Sequence, residues 1–156
     1  MILKNGLIYT ENGFEQKDIC IRDGKFDFDL SCNKTEILDL TGKYVIPGLI
    51  DIHGHGNSGY DFSTCDLKGL KVMAAYLAQN GITSFAPASM TVPYTSLEKA
   101  YSNALSANKN RAEGEARVVG VHMEGPFFSY GKRGAQNPDY LLSPQYHSYG
   151  LHPDVK

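Results

Sequence analysis

Short alternations of apolar and polar residues, separated by turn dipeptides, fill residues 1–44 of the chain. Asn12-Gly13 follows the run ILKNGLIYT, and Asp23-Gly24 divides the strand-like sequence KDICIRDGKFDFD. An Asp-Gly pair between two alternating runs is a good hairpin signal. A further candidate strand, EILDL, comes before Thr41-Gly42. The pattern predicts a small β domain over residues 1–47.

The pattern changes near Pro47, where YVIPGLIDIHGHG becomes an almost continuous apolar run. Such a run is typical of a parallel strand that is buried on both faces. The next segment, residues 67–80, is predicted to be a helix that ends before Gly81, because its apolar residues recur at helical spacing. These residues are Leu70, Met73, Ala74 and Leu77. The run ITSFAPAS then predicts a second strand.

A second helix is predicted after Thr95, because Thr95-Ser96-Leu97-Glu98 has the capping-box pattern. An apolar stripe follows it at Leu97, Ala100, Tyr101, Ala104 and Leu105. The run RVVGVHMEG predicts a third buried strand, which ends at Gly125-Pro126. The order after residue 47 is therefore strand, helix, strand, helix, strand. That alternation predicts an α/β fold with a parallel sheet over residues 48–156.

Composition and charge narrow the class of partner. The chain has 42% hydrophobic and 21% charged residues and a formal net charge of -2. This charge supplies no basic field for nucleic acid or an anionic membrane, so a small-molecule substrate is expected. Three cysteines without C-x-x-C spacing argue against a disulfide framework and favour reduced thiols. The first residues lack the features of a secretory signal, and no run approaches the roughly 20 apolar residues of a membrane span. A cytoplasmic location is expected.

Candidate metal ligands lie at two predicted strand ends. His53 and His55 are two residues apart, so their imidazoles point the same way from a strand, where they can share a metal ion. An isolated His-x-His pair is equally compatible with histidines that only satisfy hydrogen bonds at a strand end. Glu124 closes the third strand at the same, C-terminal edge, where active sites of parallel α/β folds lie. His122 shares its face and is expected to support or pack against the site.

Three segments carry a more specific resemblance. VIPGLIDIHGHG, NGITSFAPASMT and VGVHMEGPFFSYGKRGAQNP resemble, in order and spacing, the first three strand ends of the N-acetylglucosamine-6-phosphate deacetylases of the amidohydrolase superfamily. The motif PG-x-ID-x-H-x-H marks the superfamily broadly. The motif HMEGPF followed by GAQNP is much narrower. The resemblance covers nearly the whole chain.

The resemblance implies a metal-dependent hydrolase that converts N-acetyl-D-glucosamine 6-phosphate to D-glucosamine 6-phosphate and acetate. It implies that Glu124 ligates the catalytic metal, that His53 and His55 ligate a second one, and that Ala135 and Gln136 contact the sugar. Some relatives have His in place of Gln136. Zinc or iron is expected, as one or two ions, in an enzyme that forms a homodimer. The general-base aspartate and two further histidine ligands are expected beyond Lys156.

The resemblance also implies a (β/α)8 barrel preceded by a small β-sandwich segment. Such a barrel takes about 250 residues, and the chain after Pro47 has three predicted strands and two helices. The barrel is thus expected to be incomplete and the chain to be an inactive piece with an unprotected sheet edge. Two alternatives stay open. One is another amidohydrolase of the dihydroorotase or deaminase type, against which HMEGPF argues, and the other is a non-catalytic interaction module.

Overall fold

A computed structural model describes residues 1–28 and 36–144. The chain divides into two compact units, Met1–Pro47 and Gly48–Lys156. Within the described part of the chain, no helix has the length and apolar character needed to cross a membrane.

The first unit is a five-stranded sheet. Its strands are β1 (Ile2–Thr10), β2 (Gly13–Arg22), β3 (Lys25–Asp27), β4 (Ile37–Asp39) and β5 (Tyr44–Val45). The order is β3-β2-β1-β4, and β5 also pairs with β1. The pairs β1/β2 and β2/β3 are antiparallel hairpins. Both predicted turns are confirmed, since Gly13, Asp23 and Gly24 have the positive φ angles (99°, 50° and 73°) that tight turns use.

The second unit is built around a parallel sheet and two helices. Its elements are β6 (Leu49–Gly54), β7 (Gly56–Asn57), β8 (Tyr60–Asp61), α1 (Leu67–Gln79), β9 (Ile82–Ser89), α2 (Tyr94–Lys109), β10 (Arg117–Val118) and β11 (His122–Met123). Strands β6, β10 and β11 all pair with β9 in parallel, and β7 and β8 form a short hairpin. Two 3₁₀ turns follow, Tyr130–Lys132 and Pro138–Tyr140. The predicted order of strands and helices is confirmed, and the third strand is interrupted at residues 119–121.

Helix α1 matches its prediction. The Asp66 side chain caps it by accepting a hydrogen bond from the Gly69 backbone N–H, and the helix ends just before Gly81, whose φ of +81° suits a glycine. The predicted stripe of Leu70, Met73, Ala74 and Leu77 is buried.

Helix α2 begins two residues earlier than its capping pattern predicts. Its N-cap is Pro93, and no side chain caps it. Thr95 therefore lies inside the first turn, and the capping-box prediction is wrong. The buried stripe runs through Leu97, Ala100, Tyr101, Ala104 and Ala107, so Ala107 takes the place expected for Leu105.

The core of the second unit lies between the helices and the sheet. Phe85 of β9 and Val118 of β10 pack there against the two helical stripes and against Phe62, which is fully buried. Burial of these side chains is the main stabilising contribution to this unit, since each fully buried large apolar side chain is worth about 1.5–3 kcal/mol. The core therefore holds β9 in place, and β6, β10 and β11 are aligned by their pairing with this strand.

Strand β6 is less buried than its apolar sequence predicts. Leu49, Ile50 and Ile52 are 55%, 65% and 69% exposed. The expectation of a strand buried on both faces is therefore wrong for the described structure. Within the described residues β6 pairs only with β9, so it is an edge strand. Val119, in the interruption of the third strand, is 55% exposed as well, so the third strand is also only partly buried.

The cysteines differ from expectation. Cys65 is a free thiol. Cys20 is disulfide-bonded, which contradicts the expectation of three reduced thiols. Cys32 lies outside the described residues. The thiol argument for a cytoplasmic location is thereby removed.

Candidate metal centre

The site lies where two strands end beside β9. His53 is the second-last residue of β6, and the last residue, Gly54, pairs with Pro87 of β9. Glu124 directly follows β11, whose residues pair with Ala88 and Ser89 of the same strand. Because all these strands are parallel, their C-terminal ends meet at one edge of the sheet. The pairing with β9 therefore brings residues from distant parts of the chain to one place.

One carboxylate oxygen faces both imidazoles. Glu124 Oε2 lies 2.9 Å from His53 Nε2 and 3.0 Å from His55 Nε2. The three candidate ligand atoms all lie within 4.8 Å of one another. The side chains are 46%, 36% and 28% exposed for His53, His55 and Glu124, so a small molecule can reach them. The structure therefore brings together the three residues predicted as metal ligands.

The backbone of β9 orients His55. Its Nδ1 lies 3.1 Å from the carbonyl oxygen of Ala88. A carbonyl oxygen only accepts, so Nδ1 carries the hydrogen in this bond and Nε2 is the nitrogen left for a metal ion. Nε2 lies 3.0 Å from Glu124 Oε2, so the two atoms can share one metal ion. A hydrogen bond from the second ring nitrogen to a carbonyl is the usual way in which proteins hold a ligating histidine.

His122 packs on the site without entering the ligand group. Its ring lies 4.4 Å from the ring of His53, centroid to centroid, with a tilt of 38°. The ligand group found among the described residues contains His53, His55 and Glu124 but not His122. This position matches the expectation that His122 supports or packs against the site. His147 and His152 lie outside the described residues.

The two residues expected to contact the sugar occupy different environments. Ala135 is exposed in a turn after the first 3₁₀ segment. Gln136 is 5% exposed, and its side chain points into the protein. Its Nε2 donates to Glu124 Oε1 at 3.1 Å, and its Oε1 accepts from the backbone N–H of Thr91 at 2.7 Å. The amide of Gln136 is thus engaged with the protein itself, and its contact with a sugar stays a prediction.

No protein-family model matches the chain. The N-acetylglucosamine-6-phosphate deacetylase of Lysinibacillus sphaericus is 31% identical over 148 residues, which cover 92% of this chain and 38% of that protein. The protein of the same name from Danio rerio is 34% identical over 147 residues, which cover 92% of this chain and 36% of that protein. The crystal structure of the Thermotoga maritima N-acetylglucosamine-6-phosphate deacetylase matches with a TM-score of 0.70 and 26% identity, over 94% of this chain and 38% of that one.

The chain is related to the N-acetylglucosamine-6-phosphate deacetylases. The resemblance predicted from its three strand-end segments is therefore confirmed. The α/β fold expected from that resemblance is confirmed as well. The chain spans less than two fifths of the length of the curated relatives it matches.

The donor set suits a divalent metal ion. Two neutral imidazole nitrogens and one carboxylate are ligands that zinc and iron accept in proteins. Two ligand atoms bound tetrahedrally at about 2.0–2.2 Å from one ion lie about 3.3–3.6 Å apart. The separations of 2.9 and 3.0 Å fall slightly below that range, so small side-chain movements admit an ion. In a deacetylase-related chain, the His53–His55–Glu124 group therefore fits a metal centre.

Proposed function

We propose that the protein hydrolyses the acetamide of N-acetyl-D-glucosamine 6-phosphate to D-glucosamine 6-phosphate and acetate, at a metal centre formed by His53, His55 and Glu124. The observation that carries the proposal is the convergence of the three ligand atoms within 4.8 Å, in a chain related to enzymes of that name. The chain spans only part of those relatives, so activity and substrate are proposed for the protein to which these residues belong.

We propose zinc or iron as the metal, as one or two ions. When bound, an ion of this kind would lower the pKa of a water molecule and polarise the amide carbonyl, and both effects favour attack on the amide at neutral pH. His55 contributes Nε2, the ring nitrogen that does not bond the Ala88 carbonyl. Glu124 contributes Oε2, which both imidazoles already face. The exposed flank of the three side chains leaves room for the substrate amide.

We further propose that the turn around Ala135 and Gln136 contacts the sugar. Ala135 is exposed in this turn, which follows Glu124 closely in the chain. Because the Gln136 amide bonds Thr91 and Glu124, a sugar contact at this residue would come from its backbone.

The wider architecture is also a proposal. Residues 48–156 would form the first βα units of a (β/α)8 metallo-hydrolase barrel, and residues 1–47 part of a small β-sandwich domain. The parallel pairing of β6, β10 and β11 with β9, together with the two helices, supports this proposal. A cytoplasmic homodimer is proposed for the complete enzyme.

We propose that residues 1–156 alone do not sustain turnover. Three ligands are grouped in the described structure, and the resemblance assigns two more histidines and the general base elsewhere. Loss of a general base by itself typically costs about 100- to 10,000-fold in rate.

The test is acetate release from N-acetylglucosamine 6-phosphate, measured for residues 1–156 and for the longest natural form that contains them, each loaded with Zn²⁺. We expect turnover by the longer form, loss of it in Glu124→Gln, and background release by residues 1–156. Cyclic amides and amino-bases serve as comparison substrates. Turnover of those compounds, with none of the amino sugar, would identify a different amidohydrolase.

A further inference from the structure

Gln136 connects the candidate metal centre to the end of β9. It is one of four buried polar or charged residues in the described chain, and it lies 12 residues after Glu124 and 45 after Thr91. Its amide oxygen accepts from the Thr91 backbone N–H, and its amide nitrogen donates to Glu124 Oε1. The same nitrogen lies 3.7 Å from Met90 Sδ, a weak acceptor. The amide is therefore bonded on both sides.

The Thr91 N–H decides which way this amide is oriented. A backbone N–H only donates, so the atom of Gln136 that faces it has to be the oxygen. The NH₂ group then has to face Glu124. Rotating the amide by 180° would set NH₂ against N–H on one side and oxygen against a carboxylate oxygen on the other. The orientation is thus fixed by two contacts with opposite requirements.

Both carboxylate oxygens of Glu124 have partners. Its Oε1 receives the Gln136 amide, and its Oε2 faces both His53 and His55. A carboxylate that accepts a hydrogen bond at one oxygen from a buried donor has a restricted rotation, so the other oxygen keeps its direction. We infer that Gln136 is a positioning residue, which holds Glu124 Oε1 and thereby presents Oε2 alone to the metal. This inference rests on the proposed metal centre.

The consequence differs from that of a substrate contact. A residue that only binds sugar changes substrate affinity and leaves metal affinity unchanged. A positioning residue acts on the ligand itself, and removal of such outer partners typically weakens metal binding about 10- to 100-fold. Metal affinity in the absence of any sugar therefore separates the two roles.

The first experiment is titration of the metal-free protein with Co²⁺, followed by its visible absorption. Gln136→Met keeps the size of the side chain but removes both amide contacts, and we expect its dissociation constant to rise about 10- to 100-fold. Gln136→His is the conservative variant, because a neutral imidazole also has one acceptor and one donor nitrogen. We expect it to recover most of the affinity. An unchanged dissociation constant in folded Gln136→Met would overturn the inference.

Asn137→Ala is the matched control. Asn137 is the next residue in the same turn, and its side chain accepts from the Asp139 N–H and contacts no proposed ligand. The Co²⁺ dissociation constant of this variant should match that of the wild type. Its thermal unfolding shows whether the substitution has loosened the turn, so the two measurements together show whether loosening of the turn alone weakens metal binding. A loss of affinity equal to that of Gln136→Met would assign the effect to the turn and would contradict the inference.

A metal-free measurement keeps the inference separate from the proposed function. In ¹⁵N-labelled protein without metal, the side-chain NH₂ signals of Gln136 should shift when Glu124 is changed to Ala, and those of Asn137 should not. If the wild type binds no Co²⁺, the proposed metal centre fails, and the amide signals still test the contact. Signals of Gln136 that ignore Glu124→Ala would overturn the inference by themselves.

Discussion

His53 and Glu124 are 71 residues apart in the chain, and their Nε2 and Oε2 atoms lie 2.9 Å apart. The backbone N–H of each donates to a residue two positions earlier, Asp51 for His53 and His122 for Glu124, but the contact between the two side chains joins distant parts of the chain. Each stands at the end of a strand that pairs with β9, and parallel pairing places both ends at one edge. The site is therefore a product of the sheet, and its chemistry depends on residues that only the fold brings together.

Replacing Glu124 with Gln should weaken metal binding by at least about 100-fold, because it removes the charged ligand that both imidazoles face. Loss of a direct ligand should cost more than loss of an outer partner, which typically costs about 10- to 100-fold. The measurement is the Zn²⁺ dissociation constant by competition with a chromophoric chelator. Glu98→Gln, at an exposed position of α2, is the control and should bind as the wild type does. Equal affinity for Glu124→Gln and the wild type would exclude Glu124 as a ligand.

Alanine substitutions at His53 and His122 should have different effects on Zn²⁺ affinity, although the two rings are in contact. His53→Ala removes a ligand atom and should cost at least about 100-fold in Zn²⁺ affinity, whereas His122→Ala removes only a packing partner and should cost less than about 10-fold. Isothermal titration calorimetry on both variants makes the comparison. If His122→Ala lost as much affinity as His53→Ala, then His122 would be a ligand.

Much of this fold is predictable from local pattern. The stripe of α1 and its end before Gly81 depend on residues within a few positions of one another, and the structure agrees with both. At α2 the capping-box pattern was present, yet the chain enters the helix through Pro93. A capping pattern describes one favourable start, and the path of the preceding chain decides whether it is used.

The environment of Gln136 was not predictable. Its two hydrogen-bond partners are Thr91, 45 residues earlier, and Glu124, and no local signal marks either contact. Similarly, the apolar residues of β6 identify a strand but not what covers it, so Ile50 and Ile52 were expected to be buried and are exposed. Long-range contacts decide burial, whereas periodicity decides only the type of element.

The loop after the His-x-His pair should tolerate no side chain at Gly56. A Cβ there would lie 2.1 Å from the Tyr60 carbonyl oxygen and 3.0 Å from Asp61 Cα, both of which are backbone atoms of the paired strand. We expect Gly56→Ala to lower the free energy of unfolding by about 1–3 kcal/mol, as overpacking does. Gly120→Ala is the control, since a Cβ there meets nothing within 4 Å. Urea denaturation compares the two, and equal stability would contradict the close β7/β8 pairing.

Cys65 should react slowly with thiol reagents. Burial raises the pKa of its thiol, and the carboxylates of Asp66 and Asp61 raise it further. Its thiolate fraction at pH 8 is therefore below that of a free cysteine, and alkylation should accelerate only as the pH rises through the elevated pKa. Asp66→Asn removes one charge, and its side-chain oxygen can still cap α1. Alkylation of the Cys65 peptide, followed by mass spectrometry, should be about two- to five-fold faster in this variant. An unchanged rate would exclude the Asp66 charge as a cause.

The most direct test of the metal centre is an anomalous difference map from crystals of the protein soaked in Zn²⁺, recorded at the zinc absorption edge. The predicted result is a peak about 2.0–2.2 Å from His53 Nε2, His55 Nε2 and Glu124 Oε2. Gln136 should remain hydrogen-bonded to Glu124 Oε1 in the same crystals. A zinc peak bound by other side chains, with His53, His55 and Glu124 left without an ion, would contradict the account.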